Sequence, residues 1–156
     1  PEGGMRAARR HYAQHMPDAS STRIVEQINN DAFYRMPTIA AAEAHAAGHP
    51  GKTWLFQLDY ESALPGLGAI HAIDVALLFR TPPTDLLLRD DAETSALSDI
   101  MCEALVSFAR DGQPAATGMP AWAPYGTESR ATMIFDTPCR LETSMDEPLR
   151  RYWVRS

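Results

Sequence analysis

Residues 53–60 read Thr-Trp-Leu-Phe-Gln-Leu-Asp-Tyr, a β-branched and aromatic run that is apolar almost throughout. It is too short for a typical helix and lacks the polar–apolar alternation of a half-solvated strand. Such a run predicts a strand covered on both faces, with helices packed on a sheet that is at least partly parallel. The fold class that follows is α/β. A chain of 156 residues is long enough to bury a core around that strand.

Most of the remaining chain reads as helix. Residues 5–15 predict a helix stopped by Pro17, and residues 22–30 a second with Ile24, Val25 and Ile28 on one side. Pro37 can open a third, because its missing N–H is not needed in a first turn. The alanine-rich run after it favours helix, and Gly48 with Pro50 closes it. Residues 73–79 predict a short apolar helix stopped by Pro82-Pro83. Residues 90–110 give the clearest pattern, with Asp90 and Glu93 at cap-box spacing. Ala96, Leu97, Ile100, Met101, Ala104, Leu105 and Phe108 form its apolar stripe, and Gly112 and Pro114 end it. A proline-bounded loop at 119–125, a short strand at 131–135 and a terminal helix at 148–154 complete the reading.

Composition narrows the function. The net charge of −6 and the lack of any Lys/Arg cluster argue against nucleic acid or an anionic membrane surface as partner. No apolar run approaches the roughly 20 residues that span a bilayer. Two cysteines are too few for a disulfide scaffold, and Cys102 reads as a buried thiol in a helix. Pro1-Glu2-Gly3-Gly4 is not a signal peptide and lacks an initiator methionine, which suits a fragment or a processed chain. The compartment is left open, a soluble cytoplasmic one fitting better than a secreted one.

Chemistry concentrates at Gly68-Ala69-Ile70-His71-Ala72-Ile73-Asp74. The loop at 62–69, with Pro65, Gly66 and Gly68, follows the strand and delivers His71 just ahead of the short helix. From the residues alone His71 is either a loop histidine with a satisfied hydrogen bond or a base, since imidazole titrates near neutrality. Asp74 reads as a first-turn helix acid and Asp59 as structural. His11, His15, His45 and His49 stand at i, i+4 spacing, but no acidic cluster or cysteine pair completes a metal site, so they read as surface residues. Leu64, Leu67, Ile70, Ile73 and Phe79 are equally readable as pocket lining or as core.

Four segments in order carry a family resemblance. Asp31-Ala32-Phe33-Tyr34-Arg35-Met36-Pro37 is similar to a D-x-x-F-x-x-P segment, and Trp54-Leu55-Phe56-Gln57-Leu58-Asp59 to a Y-x-Y-x-F-D strand. The His71 segment resembles G-A-x-H-[GAS]-x-[DE]. Ser107-Phe108-Ala109-Arg110-Asp111-Gly112-Gln113-Pro114, with Pro120-Ala121-Trp122-Ala123-Pro124-Tyr125, resembles F-A-[RK]-x-G-x-P followed by P-x-W-x-x-Y. Together they resemble the C-terminal third of type-B carboxylesterases, the group of cholinesterases and para-nitrobenzyl esterases. Two positions depart from the pattern: Leu105 where tryptophan is frequent, and Ala72 where glycine is commonest.

The resemblance implies the C-terminal part of an α/β-hydrolase domain, spanning 1–156 and incomplete on its own. It implies His71 as catalytic base, a small-molecule ester as substrate, and no cofactor or metal; Leu64, Leu67 and Ile70, on the loop before the histidine, are the residues that would line the substrate pocket if they are not core. In that fold the triad runs Ser, Asp/Glu, His along the chain. No serine here sits in a Gly-x-Ser-x-Gly elbow, including Ser62, which follows Tyr60-Glu61. The serine, its carboxylate and the oxyanion hole are therefore expected before Pro1. The isolated segment is expected to be inactive and either poorly stable or self-associating through uncovered strand edges. The alternative is a non-catalytic, cholinesterase-like binding or adhesion domain.

Overall fold

The computed structural model describes residues 3–81 and 86–154. Three helical segments come first. Helix α1 (Gly4–His15) turns at Pro17 into α2 (Ser21–Asn30), whose N-cap Ser20 accepts a hydrogen bond from the Arg23 N–H at 3.1 Å. The chain then passes through a π-turn (Asp31–Arg35) directly into α3 (Met36–Gly48), with Pro37 in its first turn. The two separate helices expected from sequence are thus one continuous helical run, joined by a local widening of the backbone hydrogen-bond ladder.

Strand β1 (Leu55–Leu58) leads to the His71 loop and α4 (Ile73–Leu78). The stop assigned to Pro82-Pro83 lies outside the described residues. The long helix α5 (Ala92–Asp111) follows, then β2 (Thr132–Phe135), β3 (Arg140–Glu142) and α6 (Glu147–Val154). The cap of α5 differs from the expected Asp90–Glu93 pair. Asp91 fills the role, its Oδ1 accepting from the Thr94 N–H at 2.7 Å. The hydrogen bonds from Thr94 hold the Asp91 carboxyl below its usual range. Gly112, at φ 72°, closes the helix in the left-handed conformation that glycine tolerates.

The sheet is mixed, in the order β1-β2-β3. Leu55 to Leu58 pair parallel with Thr132 to Phe135, and β3 pairs antiparallel with β2. Residues 131–135 are all buried, whereas β1 is half-covered, with Phe56 41% exposed. This corrects the expectation for 53–60: among the described residues β1 is an edge, and β2 is the strand covered on both faces. Strand β3, absent from the sequence reading, is pinned by Arg140, which donates to Asp59 at 2.7 Å, to Glu142 at 2.7 Å and to Asp136 at 3.1 Å.

The principal core joins sheet, α4 and α5 through Tyr60, Ile73, Leu77, Leu97, Met101 and Met133. On α5 the buried positions are Thr94, Leu97, Met101 and Ala104. Ala96 is exposed, and Leu105 and Phe108 are 47% and 42% exposed, so the apolar stripe is wider than the face this chain covers. A second core, Ala8, Tyr12, Ile24, Ile28 and Leu149, ties α1 and α2 to α6. Val25 is half-buried. Cys102 and Cys139 are free and half-buried, so Cys102 is less enclosed than its helical position suggested. No described helix is long and apolar enough to cross a membrane.

Candidate active site

The loop after β1 is built to hold one position. Ser62 anchors both ends: its N–H donates to the Gly68 carbonyl at 2.9 Å, and its hydroxyl donates to the Leu87 carbonyl at 3.2 Å. The same hydroxyl accepts from the Leu64 N–H at 3.1 Å. Tyr60, buried just before the loop, shares a 2.8 Å hydrogen bond with the Thr94 hydroxyl on α5. Ile70 packs on the principal core and Ile73 is part of it. His71 is therefore carried on backbone fixed from both sides, while its own side chain is exposed.

The imidazole of His71 has no hydrogen-bond partner among the described residues. Its ring contact is with Tyr34 of the π-turn, centroids 5.0 Å apart and planes 23° from parallel. Ala72, directly after it, caps α4 at φ 72° and ψ −3°, a left-handed conformation that a Cβ resists. Glycine is the residue that suits this backbone, which accounts physically for its frequency at this place in the motif.

His71 lines a cavity of about 830 Å³ between α2, the π-turn, the end of β1 and the loop. Tyr34, Phe33, Leu58, Leu67 and Ile70 share its wall. Of the pocket residues expected from sequence, Leu67 and Ile70 face this space. Leu64 is 41% exposed on the loop and away from that wall, Ile73 is core, and Phe79 is 72% exposed on the far end of α4.

Neither nearby carboxylate serves His71 here. Asp59 accepts from Gln57 and from Arg140, both at 2.7 Å. Asp74 sits in the first turn of α4, where a negative charge complements the helix dipole. The four remaining histidines make packing contacts. His11 stacks on Tyr152 at 4.6 Å and its Nε2 meets the Pro148 carbonyl; His45 Nδ1 meets the Thr53 hydroxyl at 2.7 Å. Among the described residues no three His, Cys, Asp or Glu groups are gathered as for a metal ion.

Behind the π-turn lies a polar cluster that sequence reasoning missed. Asp31 is fully buried, accepting from the Tyr12 hydroxyl at 2.5 Å and from Gln27 Nε2 at 2.9 Å. Trp153 Nε1 donates to Tyr12 at 2.6 Å, and Arg35 reaches Asp31 at 3.6 Å and Asp146 at 3.0 Å. Burial pushes the Asp31 carboxyl above its usual range; burial and the contact with Asp31 push the Tyr12 phenol up as well. The one sequence signal was Asp31 within the D-x-x-F-x-x-P segment.

Comparison with known proteins gives the family and the fold. The model of the carboxylesterase family matches residues 1–153. The para-nitrobenzyl esterase of Bacillus subtilis is 24% identical over 145 residues, covering 89% of this chain and 29% of that protein. A Geobacillus stearothermophilus carboxylesterase superposes with a TM-score of 0.79 at 26% identity, over 95% of this chain and 31% of the other. An esterase from the anaerobe Clostridium hathewayi shares the fold at a TM-score of 0.73 and 22% identity, over 96% of this chain and 29% of its own. The chain thus spans about three-tenths of the length of these relatives, and it has the α/β-hydrolase architecture over that span.

Proposed function

This chain belongs to the carboxylesterase family, and we propose that within it the segment supplies the histidine base of a serine-dependent carboxylic-ester hydrolase. The observation that carries this reading is His71: a ring held on a pinned loop, at a cavity wall, with no hydrogen-bond partner among the described residues. A base needs one nitrogen for the nucleophile's proton and the other for the carboxylate that orients it.

In the proposed reaction His71 takes the proton of a serine hydroxyl as that oxygen attacks the ester carbonyl carbon. The imidazolium then returns the proton to the departing alcohol, leaving an acyl-enzyme. Water attacks the acyl carbon, its proton passing to His71 and then to the serine as the acid leaves. Serine, orienting carboxylate and oxyanion donors are assigned to sequence before Pro1. The substrate is a small-molecule ester whose apolar part meets Leu67 and Ile70, with Leu64 further out on the same loop. The chemistry calls for no metal or cofactor.

The test is turnover of an aryl ester by the full-length protein carrying His71→Ala. A fall in kcat of roughly 10⁴-fold or more is expected, since removing one member of a triad disables the whole unit. Undiminished turnover would overturn the assignment.

A further inference from the structure

The geometry points to Tyr34 as the positioning residue for the His71 imidazole, an inference that rests on the reading of His71 as base. The ring of Tyr34 lies against that of His71, 5.0 Å between centroids and 23° from parallel. No hydrogen bond among the described residues sets the torsion of the His71 side chain, so its backbone is fixed and its ring plane is left to Tyr34 on one face. A carboxylate acting at the ring edge would fix the tautomer; an aromatic face fixes the plane in which the nitrogens point. When the imidazole takes a proton, the same face becomes a cation–π partner for the imidazolium, an interaction stronger in the transition state than in the ground state.

The stack depends on where the π-turn puts Tyr34. Asp31 is anchored in the protein interior by Tyr12 and Gln27, and Arg35 is drawn to Asp31 and Asp146. Tyr34 lies between these anchors and turns the other way, 52% exposed, toward the cavity. Such π-turns recur at functional sites because the extra residue re-aims a side chain without ending the helix. Here the re-aimed side chain meets the one histidine of the chain that lines the cavity.

The experiment uses the full-length enzyme with Tyr34→Phe, Tyr34→Leu and Tyr34→Ala, beside His71→Ala, in steady-state hydrolysis of an aryl ester. Tyr34→Ala and Tyr34→Leu are expected to lower kcat about tenfold, the scale of a lost ring–cation contact. KM should stay within about twofold, because the contact acts on proton transfer and not on ground-state binding. Tyr34→Phe keeps the ring and should retain wild-type kcat. A rise in KM alone would make Tyr34 a substrate contact and overturn the inference. So would full activity of the leucine or alanine variant, or a phenylalanine variant as impaired as alanine. If the alanine variant does not fold, the comparison of leucine with phenylalanine decides. Retained turnover in His71→Ala would remove the base itself, an outcome distinct from any result at position 34.

Discussion

Ala72 holds a backbone conformation that its own methyl group opposes. At φ 72° the Cβ of an L-residue crowds the following carbonyl, and the structure accepts this because the next residue must start α4 while His71 faces the cavity. Ala72→Gly is expected to stabilise the protein by about 1 kcal/mol, the relief of strain outweighing the added freedom of the unfolded chain. Urea unfolding of the two proteins checks it; a lower midpoint for the glycine variant would mean that the left-handed turn is not strained. At this scale the sequence was legible where a motif singles out one residue. His71 stood out because glycine and proline flank it on a loop between a strand and a helix. Tyr34 did not, because its stacking partner is 37 positions away in sequence and only the π-turn brings the rings together.

Among the elements, all eight expected runs, six helices and two strands, form near their expected bounds, because each has a period, a breaker or a cap of its own. The misses have specific causes. The continuity of α2 with α3 rests on a π-turn anchored by a buried aspartate, and no local propensity encodes that anchor. Strand β3 is three residues long and carries charge at both ends; its extended form comes from pairing with β2 and from Arg140 bridging three carboxylates. Asp91 displaces Asp90 as cap because a cap is set by which residue leaves the helix, a one-position choice that two adjacent aspartates conceal.

Helix α6 is tied to α1 by packing and to α3 by charge. Glu147 accepts from Arg150 at 2.8 Å and from Arg151 at 2.9 Å, and Arg150 reaches Glu43 of α3 at 3.6 Å. The hydrogen bonds from Arg150, with Arg151, lower the Glu147 carboxyl from 4.5 to about 2. A carboxylate with a lowered folded-state value contributes stability above its unfolded value and loses it as pH falls. Glu147 therefore stabilises the fold above pH 4.5, and that contribution disappears on acidification toward pH 2. Asp31, with its value raised by burial, has the opposite sign: its contribution is present below 3.8 and is lost as pH rises. Glu147→Gln is expected to lower the melting temperature at pH 7 and to converge with wild type near pH 2. A constant difference between the two across that range would show that the Glu147 charge is not the source.

For the whole molecule, the fold class was legible from one apolar run, and the family from four ordered segments. The place of each strand in the sheet was not, because coverage is decided by neighbours in space. β1 keeps one unpaired edge among the described residues, and Phe33 at the site, Phe79 at the far end of α4, and Leu105 and Val106 along α5 stand exposed. Those surfaces fit a chain that spans about three-tenths of its relatives. The 156 residues alone are expected to associate and to hydrolyse no aryl ester above background. A monomer by light scattering with a sharp melting transition would contradict the first expectation, and measurable turnover the second.

The central claim is that His71 activates a serine that lies outside these residues. Its most direct test is labelling of the full-length protein with a fluorophosphonate, which reacts with a serine only when a base has activated it, followed by peptide mapping. The expected result is one labelled serine N-terminal to Pro1, with the labelling rate collapsing in His71→Ala. A label within residues 1–156, or an undiminished rate in the variant, would contradict the account.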